Sequence, residues 1–312
     1  MSLLVVRAGA LTTVQDRGRA GAGHLAVPRS GALDGPAYDL ANRLAGNPPG
    51  AAALETTLTG VAVTVADARI VAVTGAVART RVDGRAVPWG RPVRLAAGQT
   101  LDVGTATRGV RCYLGVSGGI AVQPVLGSRS TDLLSGLGPA PLRDGDVLPL
   151  GTLAEPPPDP SAGRDSAAGR DPAAGRDPGA GPDPGAGPDP SAGPADPGGL
   201  VLPVALGPRA DWFTPAAVAA LATGTWRVST ASNRIGLRLT GGPDLDRRDA
   251  RELPSEGLVL GSVQVPSDGE PVVFLADAPR TGGYPVVAVV DPAALAACAQ
   301  ARPGTPVSFR PR

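Results

Sequence analysis

Short apolar runs recur along the chain, and they predict a protein built mostly of strands. Leu3-Leu4-Val5-Val6, Val61-Ala62-Val63-Thr64-Val65, Ile70-Val71-Ala72-Val73-Thr74 and Val110-Arg111-Cys112-Tyr113-Leu114-Gly115-Val116 favour a pleated, half-buried surface. Val82-Asp83-Gly84-Arg85 carries the Asp-Gly signal of a tight hairpin. One helix is predicted over residues 35–45. Asp34 is its N-cap and Pro36 fits its first turn. Ala37, Leu40, Ala41 and Leu44 make one apolar stripe, closed by Gly46-Asn47. Beyond residue 200 the mixture repeats, with strands predicted near 200–206, 225–229, 259–265, 271–276, 286–290 and 307–309. Thr214-Pro215 and Asp291-Pro292 each pair an N-cap with a first-turn proline, so helices are expected to run on to about residues 222 and 301. Strands outnumber helices and no strand–helix alternation recurs. The expected class is mainly β with a few helices, an α+β architecture of barrel type.

Between these halves the pattern stops. Residues 155–199 are almost entirely Pro, Asp, Ala, Gly, Ser and Arg. Six successive six-residue units, from DPSAGR to DPSAGP, fill residues 159–194. With no large apolar residue, the repeat has no burial to offset its ordering entropy, and a disordered, partly extended linker is expected. The chain therefore reads as an N-terminal domain at 1–154, a linker at 155–199 and a C-terminal domain at 200–312.

Composition narrows the chemistry. Hydrophobic residues are 42 % and aromatics 3 %, so the cores must be aliphatic. The net charge of +1 gives no field that would draw the chain to nucleic acid or membrane. No apolar run reaches the roughly 18 residues of a spanning helix, and the first residues lack a signal-peptide pattern. A cytoplasmic protein is expected. All 29 basic residues are arginine, which excludes a Schiff-base lysine and a phosphate-loop lysine. His24 is the sole histidine, so no multi-histidine metal site is expected. Cys112 and Cys298 lie in apolar segments and read as buried, inert thiols. Acid–base work falls mainly to Asp, Glu or water.

Four polar segments are candidates. Gln15-Asp16-Arg17-Gly18-Arg19 suits an anion or a partner's carboxylate, or is a solvated turn with a local ion pair. Gly127-Ser128-Arg129-Ser130-Thr131-Asp132 offers hydroxyls, a guanidinium and backbone amides, or is turn chemistry. Asn233-Arg234 and Arg238 precede Ser255-Glu256-Gly257 and Gln264. Asp277 ends an apolar strand, and Thr281-Gly282-Gly283-Tyr284-Pro285 follows as a glycine turn carrying a phenol. Together these groups suit binding and polarisation of an amide or an acyl phosphate.

Several of these segments, in order, resemble one family. They are Gln15-Asp16-Arg17-Gly18-Arg19, Gly31-Ala32-Leu33-Asp34, Ala41-Asn42-Arg43-Leu44-Ala45-Gly46-Asn47, Leu54-Glu55-Thr56-Thr57-Leu58, residues 127–132, Asp144-Gly145-Asp146, residues 234–239, Ser255-Glu256-Gly257, Gln264-Val265-Pro266 and residues 281–285. The family is known as the C-type subunit of 5-oxoprolinase, as allophanate hydrolase subunit 2, as an antagonist of a sporulation kinase inhibitor, and as the biotin-dependent carboxyltransferase domain of urea carboxylase. The resemblance implies tandem cyclophilin-like β-barrel domains of carboxyltransferase type. It also implies a complex with the B-type subunit of 5-oxoprolinase, a protein of the allophanate hydrolase subunit 1 family, joined by an A-type subunit. The implied activity is a hydrolase reaction driven by ATP with Mg, opening 5-oxoproline to glutamate. The nucleotide would bind to this chain or elsewhere in the complex. Two alternatives follow from the same resemblance: a regulatory protein that antagonises a kinase inhibitor, or the carboxyltransferase component of a biotin-dependent urea carboxylase. Glu256 and Asp277 are then the expected catalytic carboxylates. Arg234, Arg238, Gln264, Gly282, Gly283 and Tyr284 are expected to bind substrate or nucleotide, and Asp16, Arg17 and Arg129 to support the site or meet the partner. Two departures stand out. Asn233 occupies a position where the family usually has Asp, and Ala278-Pro279-Arg280 replaces Arg-Gln-Thr.

Overall fold

The computed structural model describes residues 1–153, 199–249 and 251–312. The hexapeptide repeat, and the linker expected there, lie outside the described residues. In the N-terminal half run β1 (Ser2–Arg7), β2 (Thr12–Gln15), β3 (Ala53–Thr57), β4 (Ala62–Val65), β5 (Arg69–Val82), β6 (Arg85–Val87), β7 (Val93–Leu95), β8 (Thr100–Val116) and β9 (Val147–Pro149). They form one antiparallel sheet in the order β2-β3-β8-β4-β1-β9, with β5 pairing β6, β7 and β8. β5 and β8 are far longer than the apolar runs that announce them. The β5 register shifts after Gly75, whose φ of 82° belongs to the left-handed region, and a Cβ there would lie 2.4 Å from the Arg111 carbonyl. Glycine thus lets the strand bend and continue. Asp83 and Gly84 take φ of 48° and 80° and close the expected hairpin onto β6.

Helix α1 (Gly35–Leu44) starts where its cap predicts, with Asp34 accepting from the Ala37 amide. Its buried face differs from the expected stripe. Tyr38, Ala41 and Asn42 are buried, while Leu40 and Leu44 are only half-buried. The cause is polar: the Tyr38 hydroxyl and the Asn42 amide both donate to the Ala51 carbonyl, at 2.6 and 2.9 Å. These bonds rotate the helix and bring the two polar residues inside.

The C-terminal half contains β10 (Leu200–Leu206), β11 (Trp226–Val228), β12 (Gly236–Thr240), β13 (Glu256–Gly257), β14 (Ser262–Gln264), β15 (Val272–Phe274), β16 (Thr281–Gly282), β17 (Val286–Val290) and β18 (Pro306–Pro311). Seven of them close a barrel in the order β10-β17-β14-β15-β12-β11-β18, sealed by the parallel pair β18–β10. The fold is therefore mainly β, with a complete barrel in this half and an open, half-barrel sheet in the other. Helix α2 (Pro215–Thr223) begins at the Thr214 cap. After Asp291-Pro292 the chain first makes a 3-10 turn and only then α3 (Leu295–Gln300). The cores are aliphatic, apart from pairs such as Trp226 edge-on to Phe309 at 5.4 Å. Leu33 of the N-terminal half is buried in the barrel's core cluster, so the halves share packing. Cys112 and Cys298 are buried and unpaired, and burial pushes each thiol up to about 12. Among the described residues no helix is long and apolar enough to cross a membrane.

Candidate functional site

The two halves meet on buried charges. Arg234, in the turn before β12, is 1 % exposed and Asp277, after β15, is 0 % exposed. Arg234 grips both oxygens of Asp277, through Nε at 2.9 Å and Nη2 at 3.0 Å. Its Nη1 donates to Glu55 on β3, and Nη2 donates again to the Gly31 carbonyl at 2.7 Å. Glu55 also accepts from the Tyr113 hydroxyl at 2.8 Å and the Leu33 amide at 3.1 Å, with Arg111 Nε 3.5 Å away. Burial alone would discharge Glu55. Arg234 and Arg111 outweigh it and hold the carboxyl below its ordinary value. Burial also opposes the charge of Arg234, and Glu55 and Asp277 more than restore it, so its pKa is raised.

Gln300 extends this clamp from the end of α3. Its Oε1 accepts from the amides of Val110 and Arg111 at 2.9 and 3.1 Å, and its Nε2 donates to Asp34 at 2.8 Å. Gly109, at φ 75°, leaves room for it, since a Cβ there would lie 2.6 Å from Gln300 Oε1. Burial raises the Asp34 carboxyl above its ordinary value.

This geometry places Arg234 and Asp277 in a buried clamp and not on an open ligand-facing wall. Four of the five guanidinium donors of Arg234 are engaged within the protein, and neither residue presents a face to a ligand. They lock the two halves together. Asn233 sets up the turn that delivers Arg234, accepting from the amides of Ile235 and Gly236 at 2.8 and 3.2 Å. Aspartate would accept the same two bonds, so the asparagine keeps the turn.

The other candidates separate into two groups. Asp16 accepts from the Gly18 amide at 2.8 Å, from the Ser128 and Ser130 hydroxyls at 2.6 Å each, and from the Arg129 amide at 2.6 Å. Burial would raise its pKa, and these four bonds lower it instead. Asp16 thus ties two loops together. Arg129 joins through its backbone, and its Nε donates to the Val122 carbonyl. Arg17 turns outward to Asp39, at 3.0 Å. The second group is Glu256, Gln264, Gly282, Gly283 and Tyr284. Glu256 pairs with Arg209, whose guanidinium holds its carboxyl below the usual value. Gly282 lies across from Glu256, and Gln264 donates to the Tyr284 carbonyl at 2.7 Å. Tyr284 is exposed, with the Arg247 guanidinium 5.3 Å from its ring centre. Among the described residues this group makes no hydrogen bond to Arg234 or Asp277. Arg238 belongs to neither group: it is exposed on β12 while Leu237 and Leu239 face the core.

An open cleft of about 500 Å³ lies between the halves. Asp16, Arg17, Arg29, Ser30 and Asp39 line one side, and Leu260, Leu275 and Leu295 the other. Ser30 is 4 % exposed and its hydroxyl has no hydrogen-bond partner among the described residues. Asp39 is the partly exposed carboxylate here, at 45 % of its side chain. Sequence alone did not mark Glu55, Arg111, Gln300, Ser30 or Asp39 as functional groups. Glu55 carried a usable signal: a carboxylate inside the strand Ala-Leu-Glu-Thr-Thr must find a cation if that strand is central.

Residues 25–311 match the family described as carboxyltransferase domain, subdomain A and B. The chain is 38 % identical over 310 residues to the 5-oxoprolinase C subunit of Escherichia coli (strain K12), covering 98 % of this chain and 90 % of that protein. It superposes on the crystal structure of TTHA0988 with a TM-score of 0.79 and 37 % identity, covering 99 % of this chain and 55 % of that one. On the crystal structure of the K. lactis urea amidolyase the TM-score is 0.81 at 31 % identity, covering 99 % of this chain and 18 % of that one. The chain thus spans little more than half of the first solved structure and under a fifth of the second.

Proposed function

The chain belongs to the carboxyltransferase-domain family, subdomain A and B, and on that premise we propose that it is the C-type subunit of an ATP-dependent 5-oxoprolinase. The observation that carries this reading is the extent of its likeness to a 5-oxoprolinase C subunit, which runs nearly the full length of both chains. The reaction would open the lactam of 5-oxoproline to glutamate. An unactivated amide resists water. Transfer of a phosphoryl group from ATP to the amide oxygen makes that oxygen a leaving group and the carbon electrophilic. ADP leaves at that transfer. Water then attacks the activated carbon and the C–N bond opens to an acyl phosphate, which a second water cleaves to glutamate and phosphate. A B-type partner, an A-type partner and Mg travelling with the nucleotide complete this assembly.

The cleft between the halves is the part of this chain suited to take part. Asp39 is its accessible carboxylate, able to move a proton or position water, while Arg17 beside it steadies the charge. Asp16, saturated by four donors, shapes the wall. Co-expression with the B-type protein should give one co-eluting species on gel filtration; separate elution at micromolar concentration would count against the reading. The likeness to urea amidolyase supports a second reading, a carboxyltransferase acting with biotin. With no lysine in this chain, the biotinylated residue would come from another chain. Urea-dependent carboxyl transfer by the assembly, without 5-oxoproline-dependent ATP hydrolysis, would favour that alternative.

A further inference from the structure

A second cavity, of about 350 Å³, opens beside the cleft and shares Arg29, Leu260, Leu275 and Ala276 with it. Its lining holds Arg19, Arg29 and Arg280 and no carboxylate. None of the three forms a salt bridge among the described residues. The nearby charge of Asp277 is already taken up by Arg234. Arg19 is the most telling. It is 2 % exposed, its Nη2 donates to the Ser130 carbonyl, and its Nε and Nη1 have no hydrogen-bond partner among the described residues. A buried guanidinium with idle donors has lost hydration that an anion would replace. Arg280 reaches across the mouth, its Nη2 lying 3.1 Å from where a Cβ on Gly23 would be. Leu258, Leu260 and Leu275 supply an apolar wall.

We propose that this cavity binds a phosphate-bearing ligand through Arg19, Arg29 and Arg280, with the ligand's apolar or aromatic body against the leucine wall. A single carboxylate brings one charge and about four acceptor sites to a lining that holds the buried Arg19, the half-buried Arg280 and the exposed Arg29. A diphosphate or triphosphate matches both the charge and the donor count, and arginine grips such oxygens in parallel pairs. Arg280 stands in the segment where this chain departs from the sequence it resembles, two positions from where that sequence carries its arginine. The proposal deepens the reading above by giving a nucleotide a place on this chain, and it rests on that reading for the nucleotide's part in the reaction.

Calorimetric titration of the purified full chain with pyrophosphate, ATP, 5-oxoproline and glutamate tests it. Pyrophosphate and ATP should bind saturably. Arg29→Gln and Arg280→Gln should each weaken them about 10- to 100-fold, the range for one charged hydrogen-bonding group. Arg85→Gln, on the β5–β6 hairpin, should change nothing. Thermal melts of each variant check that it is folded. No saturable binding by the folded chain, or binding that both groove variants leave intact, would overturn the site. Binding of 5-oxoproline or glutamate with the same arginine dependence, and none of pyrophosphate, would overturn the phosphate assignment while leaving the 5-oxoprolinase reading standing.

Discussion

Arg234 bonds to three separate stretches of chain, so its removal would strand two buried carboxylates at once. Arg234→Met should cost about 3–5 kcal/mol, the usual penalty for breaking a buried ion pair from one side. Arg238→Gln, on the exposed face of β12, should stay within about 0.5 kcal/mol. Urea unfolding midpoints of the two variants check both. Glu55 sets a pH dependence whose sign follows from its depressed pKa. Its stabilisation is complete above the ordinary glutamate value of 4.5 and is lost as pH falls below that through the folded value. Asp16, lowered from 3.8, acts in the same direction. Asp34, raised from 3.8, opposes them: its contribution is present at low pH and is lost as pH rises through its folded value. Melting temperature should therefore fall as pH drops below about 4.5, and Glu55→Gln should flatten that slope. An unchanged slope in that variant would mean Glu55 is not the group being titrated. The sequence singled out Arg234 and Asp277 because guanidinium and carboxylate stood beside turns. Their burial was not legible because depth is not written locally: only the fold brings Glu55, 179 positions away, against Arg234.

The elements most legible in sequence were those with punctuation. Asp34-Gly35-Pro36, Thr214-Pro215 and Asp291-Pro292 each start a helical segment where the cap rule puts it, because capping is a contact between near neighbours. The hairpin at Asp83-Gly84 is likewise local. The apolar runs that announce β5 and β8 stop beside Gly75 and Gly109, whereas in the fold glycines 75, 104 and 109 act as bends and points of close approach that let both strands continue. The buried face of α1 was hidden because hydrogen bonds to Ala51 override its apolar stripe. Helix α3 shows how much one polar side chain can do for an element. Gln300 accepts two amides of β8 that nothing else in the described structure satisfies by side chain. Gln300→Ala should cost about 1–3 kcal/mol for the buried groups left unpaired. It should also speed hydrogen exchange at Val110 and Arg111; protection unchanged at both amides would show that α3 does not depend on this contact.

At the scale of the whole molecule, an open sheet and a closed barrel are joined through a charged clamp, a shared core residue in Leu33 and backbone bonds such as Ser30 to the Ala276 carbonyl at 2.9 Å. That junction also makes the cleft, whose polar wall comes from the sheet side and whose apolar wall from the barrel side. The proposed surface draws on both halves, so motifs in each half had to be read together and no single segment revealed it. It also explains why the sequence pointed to Asp16 and Asp277 and passed over Asp39: the assembled junction buries the first two and leaves Asp39 accessible. Whether this chain is a working part of a 5-oxoproline hydrolase is tested by measuring ADP release from ATP by the A-type and B-type proteins, with and without this chain and with and without 5-oxoproline. Turnover should require both this chain and 5-oxoproline. It should fall about 100-fold or more when Asp39→Asn removes a group acting in proton transfer. Full 5-oxoproline-dependent turnover by the A-type and B-type proteins without this chain would contradict its assignment to the reaction.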